Sequence, residues 1–121
     1  MDRKQIITDY WLQFAQQNWD SLSSYFLAEA KISWPNTAEE FKVDEFINVN
    51  RYYPGNWSIE IVALYEFNEL LISITRIFNE SAGWRAVSFF SFCADKINYL
   101  QEYFCEDSSP PSWRAAVLKN E

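Results

Sequence analysis

The chain has 121 residues, enough for one domain that buries roughly two thirds of its unfolded surface without a metal or disulfide. With 49% hydrophobic and 22% charged residues it is not a disordered chain, and it has no run of about 18 apolar residues to cross a membrane as a helix. A formal charge of −7 without a basic stripe excludes nucleic acid as a partner, and the absence of histidine excludes Ser-His-Asp and Cys-His nucleophile systems and the commonest zinc ligand.

The opening Met1-Asp2-Arg3-Lys4-Gln5 enters an amphipathic pattern with no continuous apolar region or cleavage site, so the chain reads as a cytoplasmic protein. Ile6, Ile7, Tyr10, Trp11, Phe14 and Ala15 recur at three- and four-residue steps and predict a helix from about Arg3 to Gln17, with Asp2 and Gln5 placed to cap it. Asn18 and Asp20 are cap candidates for a short second helix carrying Leu22, Tyr25 and Phe26 on one side. Ala30, Ile32 and Trp34 then alternate with Glu29, Lys31 and Ser33 as a strand that Pro35-Asn36 ends. Helical spacing returns from Val43 to Tyr52 and stops at Pro54-Gly55.

From Trp57 the period is two. Trp57, Ile59, Ile61, Ala63 and Tyr65 face one way, and Ser58, Glu60, Val62 and Leu64 the other, up to a turn at Phe67-Asn68-Glu69. Strands from Leu70 to Phe78, Trp84 to Phe92 and Ile97 to Phe104 complete a four-strand antiparallel meander. Both faces carry apolar residues, so helices must cover one face and a partner subunit, or the sheet's own curvature, the other. The expected fold is a single α+β domain over residues 1–121 that dimerises through its sheet.

Glu102 alternates onto the same side as Leu100 and Phe104. A carboxylate facing an apolar pocket has its pKa raised by desolvation and suits a general base that takes a proton alpha to a carbonyl. The other reading is an ion pair with Arg114 or Arg85 that pins the C-terminal segment. Trp34, Tyr53, Trp57 and Trp113 form either the wall of an aromatic pocket or ordinary core, in a chain that is 19% aromatic. The Tyr53 hydroxyl either donates to a bound oxygen or caps a backbone carbonyl. Glu39 marks a pocket mouth or favours the helix N-terminus near Asp44. Arg51 and Arg76 either hold a carboxylate ligand or are ion-paired with buried stems. Cys93 and Cys105 lack metal-ligand spacing and read as buried free thiols. No metal or cofactor is expected.

A set of fragments spans nearly the whole chain in order: Ile32-Ser33-Trp34-Pro35-Asn36-Thr37 with Glu39 and Phe41, Phe46-Ile47, Asn50-Arg51, and Tyr53-Pro54-Gly55-Asn56-Trp57. It continues with Ala86-Val87-Ser88-Phe89-Phe90, Lys96-Ile97, Glu102-Tyr103-Phe104 and Pro111-Ser112-Trp113-Arg114. On these residues the chain resembles the nuclear transport factor 2-like (NTF2-like) superfamily, in particular the small bacterial SnoaL-like proteins related in fold to ketosteroid isomerase and polyketide cyclases. The resemblance implies a cystatin-like/NTF2-like cone, N-terminal helices on a strongly curved, mainly antiparallel sheet. It also implies a homodimer with one open pocket per subunit.

The candidate ligand-binding residues are then Trp34, Glu39, Tyr53, Trp57, Arg85, Ser88, Glu102, Trp113 and Arg114. Arg85 stands where relatives often carry a histidine, Phe104 where they carry a tryptophan, and the turn at Ala94-Asp95-Lys96 lacks the usual glycine. The fold hosts both enzymes and non-catalytic domains. The expected function is binding of a small apolar or aromatic molecule without turnover. The alternative is a cofactor-free isomerase or cyclase acting on a small carbonyl compound, with Glu102 as base and Tyr53 or an indole as donor.

Overall fold

The Asp2 side chain accepts a hydrogen bond from the Lys4 N–H at 3.0 Å and starts α1 (Arg3–Ala15) in the computed structural model, which describes residues 2–119. Met1, Asn120 and Glu121, the ends of the domain expected over 1–121, lie outside the described residues. Helix α1 buries Ile6, Ile7, Tyr10 and Trp11 and ends with its apolar stripe at Ala15, short of the expected Gln17, because Gln17 takes a left-handed φ of 60°. Helix α2 (Trp19–Leu22) runs into a 3-10 turn, Ser23–Tyr25. Asn18 does not cap it; its amide donates to the side chains of Gln13 and Gln16.

Strand β1 (Phe26–Trp34) starts three residues before the alternation that announces it. An irregular register between Phe26 and Lys31 hides the earlier part from a period-two reading. A 3-10 turn, Pro35–Thr37, and Ala38 at φ 55° then fold the chain back as β2 (Glu39–Lys42), antiparallel to β1 with Ile32 opposite Phe41. Strand β2 was not expected from the sequence: it is short and buries only Phe41. Helix α3 (Val43–Arg51) follows at once, with the Glu45 carboxylate accepting from the Lys42 N–H at 2.8 Å.

The meander forms as expected from β3 (Ser58–Phe67), β4 (Leu70–Phe78), β5 (Gly83–Cys93) and β6 (Lys96–Glu106). The sheet order is β2-β1-β6-β5-β4-β3, with β1 parallel to β6 and the other pairs antiparallel. The face assignment in β3 needs one correction. Ile61 pairs with Thr75 and Ala63 with Ile74, so Val62 is an extra residue, and a bulge reverses the faces beyond it. Ile59, Ile61 and Leu64 therefore pack on the core, while Ala63 and Tyr65 join Ile74 and Ile72 on the convex side.

Helix α1 packs over β3 and β4, and α3 over β1 and β2. Tyr10 is the hub of this concave layer, meeting Trp11, Phe26 and Phe90 edge-on at 5.1, 6.0 and 5.4 Å. Arg3 ties α1 to the β3–β4 and β5–β6 turns, donating to the carbonyls of Asn68 and Ala94 and to Glu69, each at 2.9 Å.

After β6 the last described element is a helix the sequence reading did not place, α4 (Ser112–Lys119), which buries no residue. Cys93 and Cys105 are exposed rather than buried, because each lies off the inward-facing parity of its strand. No described helix is long and apolar enough to cross a membrane.

Candidate functional site

The concave face closes around a cavity of about 440 Å³. Five of the chain's six tryptophans line it: Trp11, Trp19, Trp34, Trp57 and Trp84. One wall comes from the C-terminal end of α1 and from α2, where Phe14 touches Trp11 at 5.3 Å and Trp19 at 5.4 Å. The opposite wall is the α3–β3 loop and the start of β5, where Trp57 meets Trp84 edge-on at 5.0 Å and stacks with Tyr53 at 5.6 Å.

Gly55 shapes that loop. Its φ of 98° belongs to the region glycine favours, and a Cβ there would lie 3.2 Å from Trp57 Nε1. The indole is held by donation to the Pro54 carbonyl at 3.0 Å.

Glu102 forms the floor. Alternation in β6 turns Leu100, Glu102 and Phe104 inward, and the register places Glu102 opposite Ser88 and Ser88 opposite Ser73. The carboxylate is 2% exposed. Its Oε2 accepts from Ser88 Oγ at 2.7 Å and its Oε1 from Trp34 Nε1 at 3.0 Å. Trp11 Nε1 donates to Ser73 Oγ at 3.1 Å at the far end of the same polar row. Burial pushes the Glu102 carboxyl above its ordinary range, and the Ser88 and Trp34 hydrogen bonds offset part of that rise. Burial, and then the nearby Glu102 charge, push the Tyr10 phenol up as well. The Tyr10 hydroxyl and Thr75 Oγ1 have no hydrogen-bond partner among the described residues.

No cation pairs with Glu102 among the described residues, so the ion-pair reading is overturned. Arg85 is one residue off the inward parity of Trp84 and Ala86. It lies on the convex side, where its Nε is 3.9 Å from Asp107 Oδ1, and Arg76 Nε reaches the other oxygen of Asp107 at 3.7 Å. Arg114 lies over the Trp113 ring at 5.5 Å on α4, and Trp113 is 62% exposed. Arg85, Trp113 and Arg114 therefore lie outside the cavity. Arg51 is 3.3 Å from Asp20, so neither it nor Arg76 serves the cavity as a cation.

Of the remaining candidates, Trp34, Glu39, Tyr53, Trp57 and Glu102 line the cavity, and Ser88 supports Glu102 from behind. Glu39 sits at the rim, accepting from Thr37 Oγ1 at 2.6 Å, while Glu45 takes the capping position at α3. Trp11, Phe14, Trp19, Trp84 and Phe104 were missed as lining residues. Trp11 and Phe14 belong to the apolar stripe of α1, and a stripe does not tell core from cavity. The parity of Trp84 with Ser88, and of Phe104 with Glu102, was the available signal.

No protein-family model matches the chain, and no curated protein matches it. Solved structures match in fold. An NTF-2-like protein of unknown function from Burkholderia xenovorans LB400 superposes with a TM-score of 0.82 at 18% identity, over 94% of this chain and 91% of that one. A putative ketosteroid isomerase from Kribbella flavida gives 0.81 at 14% identity, over 90% and 82%. A putative SnoaL-like polyketide cyclase from Shewanella putrefaciens CN-32 gives 0.72 at 10% identity, over 86% and 90%. The fold is therefore the NTF2-like cone.

Proposed function

We propose that the chain is a small-molecule-binding domain whose ligand occupies the tryptophan-lined cone above Glu102. The observation that carries this reading is the cavity itself: apolar ring walls converge on one buried carboxylate that only neutral donors hold. Its volume of about 440 Å³ suits a compact ligand. Intrinsic tryptophan fluorescence and thermal shift against a panel of small ketones, aromatic acids and alcohols test it. A ligand at about 100 times its dissociation constant adds roughly 2.7 kcal/mol and raises the melting point by several degrees. A panel that leaves both signals unmoved defeats the reading.

Proton transfer is the second reading, and the unpaired charge of Glu102 favours it. A carboxyl raised by burial, with no arginine to lower it, is a stronger base when ionised, and Tyr53 or an indole N–H is the donor to a substrate oxygen. Fold neighbours described as a putative isomerase and a putative cyclase support this reading only through the shared fold. Exchange of ketone alpha protons in deuterated water, followed by NMR, is the assay; exchange that survives Glu102→Gln unchanged removes Glu102 as base.

The same reading makes the active form a cytoplasmic homodimer. The convex face supports the dimer alone, since Val62 and Tyr65 are each 50% exposed beside Ile72, Ile74, Val87 and Phe89. An apolar face of that kind is the surface a second subunit covers.

A further inference from the structure

We infer that the ligand of this cavity is a small organic cation of the methylated-ammonium class, choline-like in its head group, held by indole faces over Glu102. The inference rests on the binding reading above and narrows it to a ligand class.

Charge is the first argument. Two carboxylates, Glu102 and Glu39, line the cavity, and no lysine or arginine does so among the described residues. An anionic ligand would meet like charge on the floor and at the rim with no cation to receive it. A cation would supply the counter-charge that the buried Glu102 lacks.

Ring content is the second. Burying a neutral apolar molecule needs only apolar area, which leucine, isoleucine and valine provide as well as tryptophan. The aliphatic residues in this lining are few, Ala15, Val49, Ile59 and Ile77 among them, whereas five indoles are present. Indole has the most negative face of the protein rings, and several around one site favour a desolvated cation specifically.

The hydrogen-bond inventory then selects among cations. A primary ammonium brings three N–H donors that need acceptors. Glu102 already accepts from Trp34 and from Ser88, which takes two of the about four lone-pair sites of a carboxylate, so the three donors of a primary ammonium outnumber the sites left on the floor, and Glu39 at the rim already accepts from Thr37. A nitrogen whose hydrogens are replaced by methyl groups asks for no acceptor and presents an apolar hull to the rings. That hull matches the cavity, and its diffuse charge acts on Glu102 without breaking either hydrogen bond.

The test is isothermal titration of wild type and Glu102→Gln with choline, tetramethylammonium and 3,3-dimethylbutan-1-ol, the neutral alcohol in which carbon replaces the choline nitrogen. Wild type should bind choline at least tenfold more tightly than the alcohol, about 1.4 kcal/mol. Glu102→Gln, in which an amide can occupy the same two hydrogen bonds, should lose most of that preference and bind the alcohol unchanged. Trp84→Leu supplies an independent variant and should weaken choline more than the alcohol. Equal affinity for choline and the alcohol overturns the cation while leaving the binding pocket standing. Binding of ketones or aromatic acids with no choline binding also overturns it. Failure of all three probes overturns the cation, and the pocket reading falls with it only if the panel of ketones, aromatic acids and alcohols fails as well.

Discussion

Glu102→Gln separates the ionisation of the floor residue from its hydrogen bonding. The amide oxygen can accept from Trp34 Nε1 and the amide nitrogen can donate to Ser88 Oγ, so the contacts at 3.0 and 2.7 Å both survive. Glu102→Ala instead strands two buried partners, at about 1–3 kcal/mol each. Burial raises the folded-state pKa of Glu102 above its unfolded value. Below the unfolded pKa, about 4.3, both states hold the proton and ionisation contributes nothing to the comparison with glutamine. As pH rises beyond that point the unfolded chain releases its proton first, and wild type loses stability relative to Glu102→Gln until the folded pKa is passed. The slope for one group cannot exceed about 1.4 kcal/mol per pH unit.

Urea unfolding of both proteins between pH 4 and pH 8 measures this difference, and the other carboxylates cancel in it. The glutamine chain should be the more stable one at pH 8 and close to wild type at pH 4. The alanine chain should be weaker than glutamine by roughly 2–6 kcal/mol throughout. A difference between wild type and glutamine that stays flat, or that grows in favour of wild type with pH, would refute the reasoning, since it would mean that a favourable charge compensates the carboxylate.

Tyr10→Phe removes a buried hydroxyl without a partner and should stabilise the fold by about 1 kcal/mol; a loss of that size in urea melts would show that the hydroxyl is bonded. Ala94 holds φ at 55° in the β5–β6 turn, a strain of about 1–2 kcal/mol for an L residue. After the extra chain entropy of glycine, Ala94→Gly should gain about 0.5–1 kcal/mol, read as a higher urea midpoint at unchanged slope. Light scattering on a sizing column should report a dimer for wild type and a monomer for the double variant Tyr65→Lys, Phe89→Lys; a wild-type monomer would remove the convex face as an interface.

Most elements were legible because their signals are local. The three- and four-residue spacing of α1, the period two of the meander and the proline that ends β1 each act within a few residues. Strand β2 escaped because four residues with one buried side chain carry no period, and the Val62 bulge escaped because an inserted residue looks the same as a continued alternation. Glu102 could be singled out because a carboxylate between inward-facing Leu100 and Phe104 breaks the apolar pattern of its strand.

Its partners could not be read from the sequence. Arg85, Arg114, Ser88 and Trp34 were all within plausible reach, and only the parallel pairing of β1 with β6 and the register of β5 on β6 brought Trp34 and Ser88 to it. The same geometry sent Arg85 to the convex side and Trp113 out onto α4. The sequence by itself thus determined the α+β order, the antiparallel meander and the presence of an inward carboxylate, since those depend on neighbours along the chain. The tertiary structure decided what surrounds that carboxylate, because cross-strand register and sheet curvature bring together residues separated by 14 and 68 positions. Their identity as cavity rather than core depends on how far α1 and the α3–β3 loop stand apart, which no periodicity encodes.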